Sequence, residues 1–312
     1  MAKAAKVVTI GGLSIDLTYL LVDNAFSGKK VGYAQRVTLE AGGKTFNCAT
    51  ALARLGMDVT MIATLGEDRF ATDLEKALEA EKISTNYLVE VPNGKTIITS
   101  IMTYADPKQS HNFVTLQPDL NALKVQDIIK RTKVITGSDY VFANNEASPE
   151  VITASLQLGR INDKVTFFNP SPIFEMEKNI FPYVDFAVFN KSEIDFYMPN
   201  LDREQQVKNI LDMGAKNVVL TLGKEGCVAG NRRWVDYFPA FKVMLINEVG
   251  SGDAFLGALI YAHSQGLDFR DMIKFSLYSA AIKCMHEEVR GGMPRLAQVK
   301  SFLDNLQKDD KK

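Results

Sequence analysis

The residues best suited to chemistry lie in the stretch LINEVGSGDAFLGALI, residues 245–260, where a β-rich run meets Gly250-Ser251-Gly252 and a helix is expected to open at Asp253. Glycines let the backbone turn tightly and approach a ligand closely. The N–H groups of a first helical turn, aided by the helix dipole, favour an anion such as a phosphate. A carboxylate beside them can accept a proton from an attacking hydroxyl while the amides stabilise the transferred group.

This stretch has two other interpretations. Asp253 is also suited to capping the helix, as Asp often is. A dinucleotide-binding site needs G-x-G-x-x-G with a following strand, whereas Gly257 falls too late and the chain becomes helical. The residues alone therefore disfavour a dehydrogenase and leave the helix cap as the structural alternative.

A phosphate-binding loop of the type G-x-x-x-x-G-K-[ST] is suggested by Gly-Lys-Thr at 43–45 and again at 94–96. That loop needs an earlier glycine, but the required positions are Thr38 and Val89. Both matches fail, so the glycine pair at 42–43 needs another function.

Composition excludes several classes of protein. The chain has 312 residues, 46% of them hydrophobic and 23% charged, and a net charge of −1. Such a balance is typical of a soluble globular protein without a nucleic-acid or acidic-membrane partner. Its three cysteines are far apart and its three histidines lack metal-ligand spacing, which argues against disulfides and zinc. We expect a cytoplasmic protein that acts on a small molecule.

The elements that must position Asp253 follow an α/β pattern. Apolar runs without strict alternation, as in strands buried on both faces, occupy 6–12, 58–66, 138–145, 164–170, 184–190 and 217–223. Helix-period segments occupy 45–56, 72–83, 149–161 and 202–214, and three more helices are expected at 252–266, 268–288 and 296–309. This alternation predicts a mainly parallel sheet with helices on both faces.

Two β-rich segments, 14–41 and 88–116, interrupt the pattern. Asn93-Gly94 is a hairpin signal between two β-rich runs. We predict a small antiparallel sheet, inserted from two places, beside an α/β domain made of 1–13, 42–87 and 117–312. A lid over the active site is the functional interpretation, and a structural extension is the alternative.

Taken together, the motifs resemble those of the pfkB, or ribokinase-like, carbohydrate kinases over nearly the whole chain and in the same order. AGGKTFNCATALARLG is similar to the N-terminal signature of the family, and INEVGSGDAF to its C-terminal signature, usually D-T-x-G-A-G-D-x-F. GGLSID, FNPSP, NKSE and TLGKEG match further family segments. The resemblance implies a three-layer α/β/α domain with a small β lid.

The resemblance also assigns a substrate site. Gly42 and Gly43 would let the backbone approach a sugar, and Asn47 would bind its hydroxyls. Asp16 would accept hydrogen bonds from two neighbouring hydroxyls, for which a carboxylate is suited. Glu146 aligns with another polar residue of the site.

On the nucleotide side, the resemblance implies ATP and Mg²⁺. Asn190 and Glu193 would organise Mg²⁺ through water, although Asn-x-x-Glu alone is more often a helix cap. Thr221, Gly223 and Gly226 would contact ATP. The implied reaction is in-line phosphoryl transfer with Asp253 as general base and the amides of residues 250–252 as anion hole.

The C-terminal signature departs from the family pattern. Asn247 replaces the usual Asp, Glu248 the usual Thr and Ser251 the usual Ala. In the family, Asp at position 247 helps to hold an activating monovalent cation, so K⁺ dependence is left open. These changes also lend weight to an alternative without turnover, a sugar or nucleotide sensor on the kinase fold.

The acceptor is indicated only in part. CMHEEVRGGMP, residues 284–294, is similar in length and character to the corresponding segment of pseudouridine kinases. We therefore expect a sugar or nucleoside with a free hydroxymethyl group, such as ribose or pseudouridine. Lys29, Lys30 and Arg36 leave a sugar phosphate as the alternative. Exposed edge strands of the lid can pair with strands of another chain. We therefore predict a homodimer through the lid.

Overall fold

The computed structural model describes residues 4–22, 30–104, 112–116 and 121–309. Its strands are β1 Lys6–Ile10, β2 Ser14–Leu21, β3 Ala34–Gly42, β4 Asp58–Ile62, β5 Thr64–Leu65, β6 Val89–Glu90, β7 Ile97–Tyr104, β8 Asn112–Val114, β9 Tyr140–Asn144, β10 Val165–Asn169, β11 Phe186–Asn190, β12 Asn217–Thr221, β13 Cys227–Asn231 and β14 Trp234–Phe238. Its α-helices are α1 Lys44–Arg54, α2 Arg69–Ala80, α3 Val125–Lys130, α4 Thr132–Thr136, α5 Pro149–Ile161, α6 Lys191–Tyr197, α7 Arg203–Asp212, α8 Ser251–Ser264, α9 Phe269–Cys284 and α10 Leu296–Asp309. In these ranges no helix is both long and apolar enough to cross a membrane.

The central sheet has the strand order β14-β13-β12-β11-β10-β9-β1-β4. Strands β12 to β4 in this order run parallel, and all six apolar runs of the sequence form them. Strands β13 and β14 add an antiparallel edge that the sequence pattern did not indicate. β13 ends in Gly230-Asn231 and β14 contains Asp236, so neither is the continuous apolar run by which the parallel strands were recognised.

Helices cover both faces of this sheet, as the sequence predicts. Because successive strand residues point to opposite faces, Val7 belongs to the core beneath α1, α8 and α9, whereas Val8 belongs to the core beneath α5 and α7. Both side chains are fully buried. The result is the predicted three-layer α/β/α arrangement with a mainly parallel sheet.

A smaller sheet has the order β3-β2-β7-β8. Strands β2 and β3 pair antiparallel, as do β7 and β8, but β2 and β7 pair in parallel along their whole length. The prediction of an antiparallel sheet is therefore wrong at its centre. The two hairpins enter from separate places in the chain and run in the same direction, which the local pattern does not reveal.

The hairpin predicted at Asn93-Gly94 is also wrong. A turn is present, since the Gly94 N–H donates to the Val91 carbonyl at 2.8 Å and Asn93 has a φ of 55°. However, β6 pairs with β5, and β7 pairs with β2. The sequence therefore predicted the turn correctly, but contacts with distant strands decided which strands pair.

Close packing of α1 on α8 brings the two signature segments together. A Cβ at Gly257 would lie 2.7 Å from the Cβ of Ala51 and 3.3 Å from the Cys48 carbonyl oxygen. Only glycine allows the helices to approach this closely. The N-terminal turns of both helices consequently lie side by side.

Candidate active site

The carboxyl ends of the parallel strands bring polar side chains to one edge of the central sheet. Asn144, Asn169, Asn190 and Thr221 are the last residues of β9, β10, β11 and β12. In open α/β sheets, ligands bind in the crevice outside these strand ends. The structure therefore gathers residues from distant parts of the chain where a ligand is expected.

The turn before α8 has the geometry of an anion site. Gly250 is in the left-handed region at φ 85° and precedes the first helical residue. The Ser251 N–H donates to the Glu248 carbonyl at 3.0 Å. Among the described residues, the N–H groups of Gly250 and Gly252 have no protein acceptor. Two of the three predicted amides are thus available to an anion, and the third closes the turn.

Asp253 lies in the first turn of α8 and is only 8% exposed. Its carboxylate accepts a hydrogen bond from the Asn47 Nδ2 at 3.0 Å. Burial raises the pKa of Asp253 to about 6. Lys44 and the hydrogen bond from Asn47 lower this pKa, whereas the negative charges of Glu146 and Glu193 raise it further. A carboxyl with such a pKa is ionised at neutral pH yet basic enough to take a proton.

Asn47 has an unused acceptor beside this carboxylate. Its Oδ1 is buried without a hydrogen-bond partner among the described residues. A buried polar atom without a partner calls for an explanation, and a donor on a substrate supplies one. A sugar hydroxyl that bonds to Asn47 would stand beside Asp253.

Asp16 and Gly42 are in direct contact across β2 and β3. A Cβ at position 42 would lie 2.0 Å from the Asp16 Oδ2, so any larger residue there would force the Asp16 carboxylate to move. Gly43 follows with a φ of 102°, which L-residues rarely adopt. Burial raises the pKa of Asp16 to about 6, although the Ser14 hydroxyl, 2.9 Å from the Asp16 Oδ1, lowers it.

Glu146 caps the N-terminus of α1. Its Oε1 accepts from the Lys44 N–H at 2.8 Å, and its Oε2 accepts from the N–H and the hydroxyl of Thr45, each at 2.8 Å. Oε2 also accepts from the Gly12 N–H at 3.2 Å. The structure therefore gives Glu146 a structural task, which is to tie β1 to α1, beside its proposed contact with the substrate.

Lys44 is a site residue that the sequence reasoning missed. Burial would lower its pKa, but Asp253, Glu193, Glu146 and Asp16 together raise the pKa above its ordinary value. The signal was its position, because the dipole disfavours a cation at the first residue of a helix. A lysine there indicates negative groups, or a negative ligand, close by.

Asn190 and Glu193 form a reciprocal capping box at the start of α6. The Asn190 Oδ1 accepts from the Glu193 N–H at 2.9 Å, and the Glu193 Oε2 accepts from the Asn190 N–H at 2.7 Å. Asn169 donates to the same oxygen at 3.4 Å. Burial raises the pKa of Glu193, against the effect of Lys44 and these donors. The helix cap is therefore present, at the same edge as Asp253.

The segment predicted to bind ATP lies next to this cap. The sheet register pairs Thr221 with Asn190. A single 3₁₀ turn, Gly223–Glu225, follows, and the Leu222 N–H donates to the Gly226 carbonyl at 2.7 Å. The structure thus brings Thr221, Gly223 and Gly226 to the crevice, on the side of β12.

Asn247 lies at the base of the α8 turn, at the position where the family resemblance raises the question of a monovalent-cation site. Its Oδ1 accepts from the Val249 N–H at 3.0 Å, and its Nδ2 donates to the Glu287 carbonyl at 2.6 Å. Its own carbonyl accepts from the Lys283 Nζ at 3.0 Å. An ammonium is therefore already bonded to this carbonyl, and these residues do not fit a K⁺ ion.

Comparisons with known proteins identify the family to which this chain belongs. The sequence pattern of the family described as "pfkB family carbohydrate kinase" matches residues 4–296, which is nearly the whole chain. The chain belongs to the pfkB family of carbohydrate kinases. The predicted family resemblance and fold class are confirmed, and the protein is a sugar kinase rather than a dehydrogenase.

Individual relatives are distant but cover nearly the whole length. The ribokinase of Lactococcus lactis is 26% identical over 303 residues, covering 97% of this chain and 98% of the relative. The deoxyribokinase of Salmonella typhi is 25% identical over 269 residues, covering 84% and 87%. The structure of Arabidopsis thaliana ribokinase complexed with ribose and ATP has a TM-score of 0.82 at 17% identity, covering 96% of this chain and 99% of that chain. At this identity the structural likeness establishes the fold alone.

Proposed function

We propose that this pfkB-family kinase transfers the γ-phosphoryl group of ATP to the hydroxymethyl group of a sugar or nucleoside, with ribose- and pseudouridine-like acceptors as the first candidates. The observation that carries the proposal is the pair of Asn47 and Asp253 beside the α8 turn. The names of the relatives, ribokinase and deoxyribokinase, support a pentose.

On this proposal, the acceptor lies between β2 and α1. Asp16 and the unused Oδ1 of Asn47 receive its hydroxyl donors, and the backbone at Gly42 and Gly43 lies against its ring. Asp253 then takes the proton of the hydroxymethyl group as its oxygen attacks the γ-phosphorus. The O–P bond to ADP breaks in line with the attack.

The charge that develops on the transferred group meets a preorganised environment. The amides of Gly250 and Gly252 and the ammonium of Lys44 supply fixed positive potential, which needs no reorganisation during the step. We propose that Thr221, Gly223 and Gly226 hold the nucleotide.

The residues present fit a role for Mg²⁺. Carboxylate and amide oxygens are the donors that Mg²⁺ prefers, and it usually retains water. Glu193 and Asn190 would hold it through water, and the ion would neutralise charge on the phosphates.

A sugar phosphate is the weaker acceptor candidate. Arg36 in β3 forms an ion pair with Glu287 at the surface, where both side chains are more than half exposed. Lys29 lies outside the described residues, and Lys30 is exposed. The names of the relatives, ribokinase and deoxyribokinase, favour a neutral acceptor.

We further propose that the smaller sheet, within the predicted lid segments 14–41 and 88–116, covers the acceptor and pairs with a second copy. The register sets Leu17, Leu39 and Val114 on the face opposite Asp16. Val37, Leu39, Ile98 and Val114 are 43–60% exposed. An apolar face of this kind is typical of an interaction site.

The experiment that tests the proposed function is ADP release from Mg-ATP with ribose, deoxyribose, fructose, fructose 6-phosphate, uridine and pseudouridine, one at a time. Turnover with one acceptor that is lost in Asp253→Asn supports the proposal and identifies the acceptor class. ATP binding without turnover on these and on a broader acceptor series would refute it in favour of a sensor.

A further inference from the structure

A buried lysine lies behind the anion site. Lys283 is in the last turn of α9 and its exposure is 0%. A buried ammonium is costly unless it is paired. Among the described residues no carboxylate lies within ion-pair distance of its Nζ, and its hydrogen bond goes to the Asn247 carbonyl at 3.0 Å. Burial lowers the pKa of Lys283 to about 8, so the amine is still mostly protonated at neutral pH. The fold thus keeps an ammonium without a carboxylate partner, for which packing alone gives no reason.

The location of this charge relates it to the α8 turn. A Cβ at Gly250 would lie 3.5 Å from the Lys283 Cε, so the lysine stem packs directly behind this residue. Asn247, whose carbonyl holds the ammonium, also accepts from the Val249 N–H at 3.0 Å. Lys283 therefore contacts the turn at its base, through the Asn247 carbonyl, and packs against Gly250.

We propose that the Lys283 ammonium serves as a built-in cation that holds the 247–252 turn and adds positive potential behind its amides, so that turnover needs no added monovalent cation. The inference rests on the proposed phosphoryl transfer. A tethered charge is preorganised, whereas a dissolved ion must first bind. Asn247, being neutral, offers a carbonyl acceptor without a competing carboxylate.

The first test uses the unmodified protein. Turnover is measured in potassium chloride and in choline chloride at equal ionic strength, with Mg-ATP and a saturating acceptor. We expect the two rates to agree within about a factor of two, because the cationic potential is already present. Strong activation by potassium, about tenfold or more, would overturn the inference.

The second test removes the charge. Lys283→Met retains most of the volume, and Lys283→Ala leaves room for a small amine. We expect kcat in both variants to fall by about 10- to 100-fold, somewhat less than the loss of a direct donor to the reacting group. Methylammonium or potassium should partly restore Lys283→Ala and have little effect on Lys283→Met.

The matched control is Lys274→Met, on the same helix, where the lysine is half exposed and paired with Asp271. This variant should keep its kcat and show no response to methylammonium. A folded Lys283→Met protein with unchanged kcat would show that the buried charge contributes nothing to turnover and would overturn the inference.

Thermal unfolding tests the site without turnover. The Tm of the unmodified protein should be the same in potassium chloride and choline chloride, whereas the Tm of Lys283→Ala should rise with potassium or methylammonium. A potassium-dependent Tm in the unmodified protein would overturn the inference. Absence of turnover with every acceptor would refute the proposed function, whereas the Tm measurements would still test whether Lys283 occupies the place of a monovalent cation.

Discussion

Replacing Asp253 with Asn should abolish catalysis and at the same time stabilise the protein. The substitution keeps the size of the side chain and an oxygen that can accept from the Asn47 Nδ2, whose present bond is 3.0 Å. It removes only the charge and the basicity. If Asp253 is the general base, turnover should fall by about 10²- to 10⁴-fold.

The stability gain follows from the pKa of this carboxyl. Burial raises it from 3.8 to about 6, and each unit corresponds to about 1.4 kcal/mol, so ionised Asp253 costs the fold about 3 kcal/mol. Because the folded pKa lies above the unfolded one, the folded state binds the extra proton between these two values. Stability therefore declines as the pH rises through this window and is lowest above it.

Chemical denaturation of both proteins measures this effect. At about pH 8 the Asp253→Asn variant should be more stable by up to about 3 kcal/mol, and at about pH 5 the difference should be about half as large. Asp68→Asn is the matched control. Asp68 caps α2, and hydrogen bonds from Thr96 and Phe70 lower its pKa despite partial desolvation. Its replacement should destabilise the protein, with the loss greatest above the ordinary pKa of Asp.

Two results would refute this reasoning. An Asp253→Asn variant with unchanged turnover would exclude Asp253 as the base. A variant that is less stable than the unmodified protein at about pH 8 would show that the charged carboxylate is compensated by its neighbours, and that burial does not dominate its pKa.

Three further predictions concern the same site. The acid limb of kcat/KM, which reports the free enzyme, should fall near pH 6, the value to which burial raises the pKa of both Asp253 and Asp16, because only the ionised carboxylates accept a proton or a hydrogen bond from the substrate; a flat profile down to about pH 5 would contradict this. Gly42→Ala should raise the KM of the acceptor about tenfold or more by pushing Asp16 aside, while the KM of ATP should stay within about a factor of two; an equal rise in both KM values would argue against a substrate role for this contact. Leu39→Lys should shift the protein to a monomer in light scattering, and a monomeric unmodified protein would refute the proposed pairing.

Local sequence was sufficient for the parallel strands, for the long helices and for the family. The six parallel strands and the long helices were readable because each is a short apolar run or a clear helical period. The capping box of Asn190 and Glu193 was readable as well, since its three-residue spacing is local. The three helices at the C-terminal end were also predicted from local sequence.

Pairings between distant segments were decided by the tertiary structure alone. The parallel contact of β2 with β7 and the fate of the turn at Asn93 depend on which strand edges meet, and a local pattern does not encode this. The charge states of Lys44 and Lys283 also depend on the tertiary structure, because burial and neighbouring charges determine them. Only the fold places the first among four carboxylates and buries the second behind Gly250, where low exposure to water gives each charge its influence.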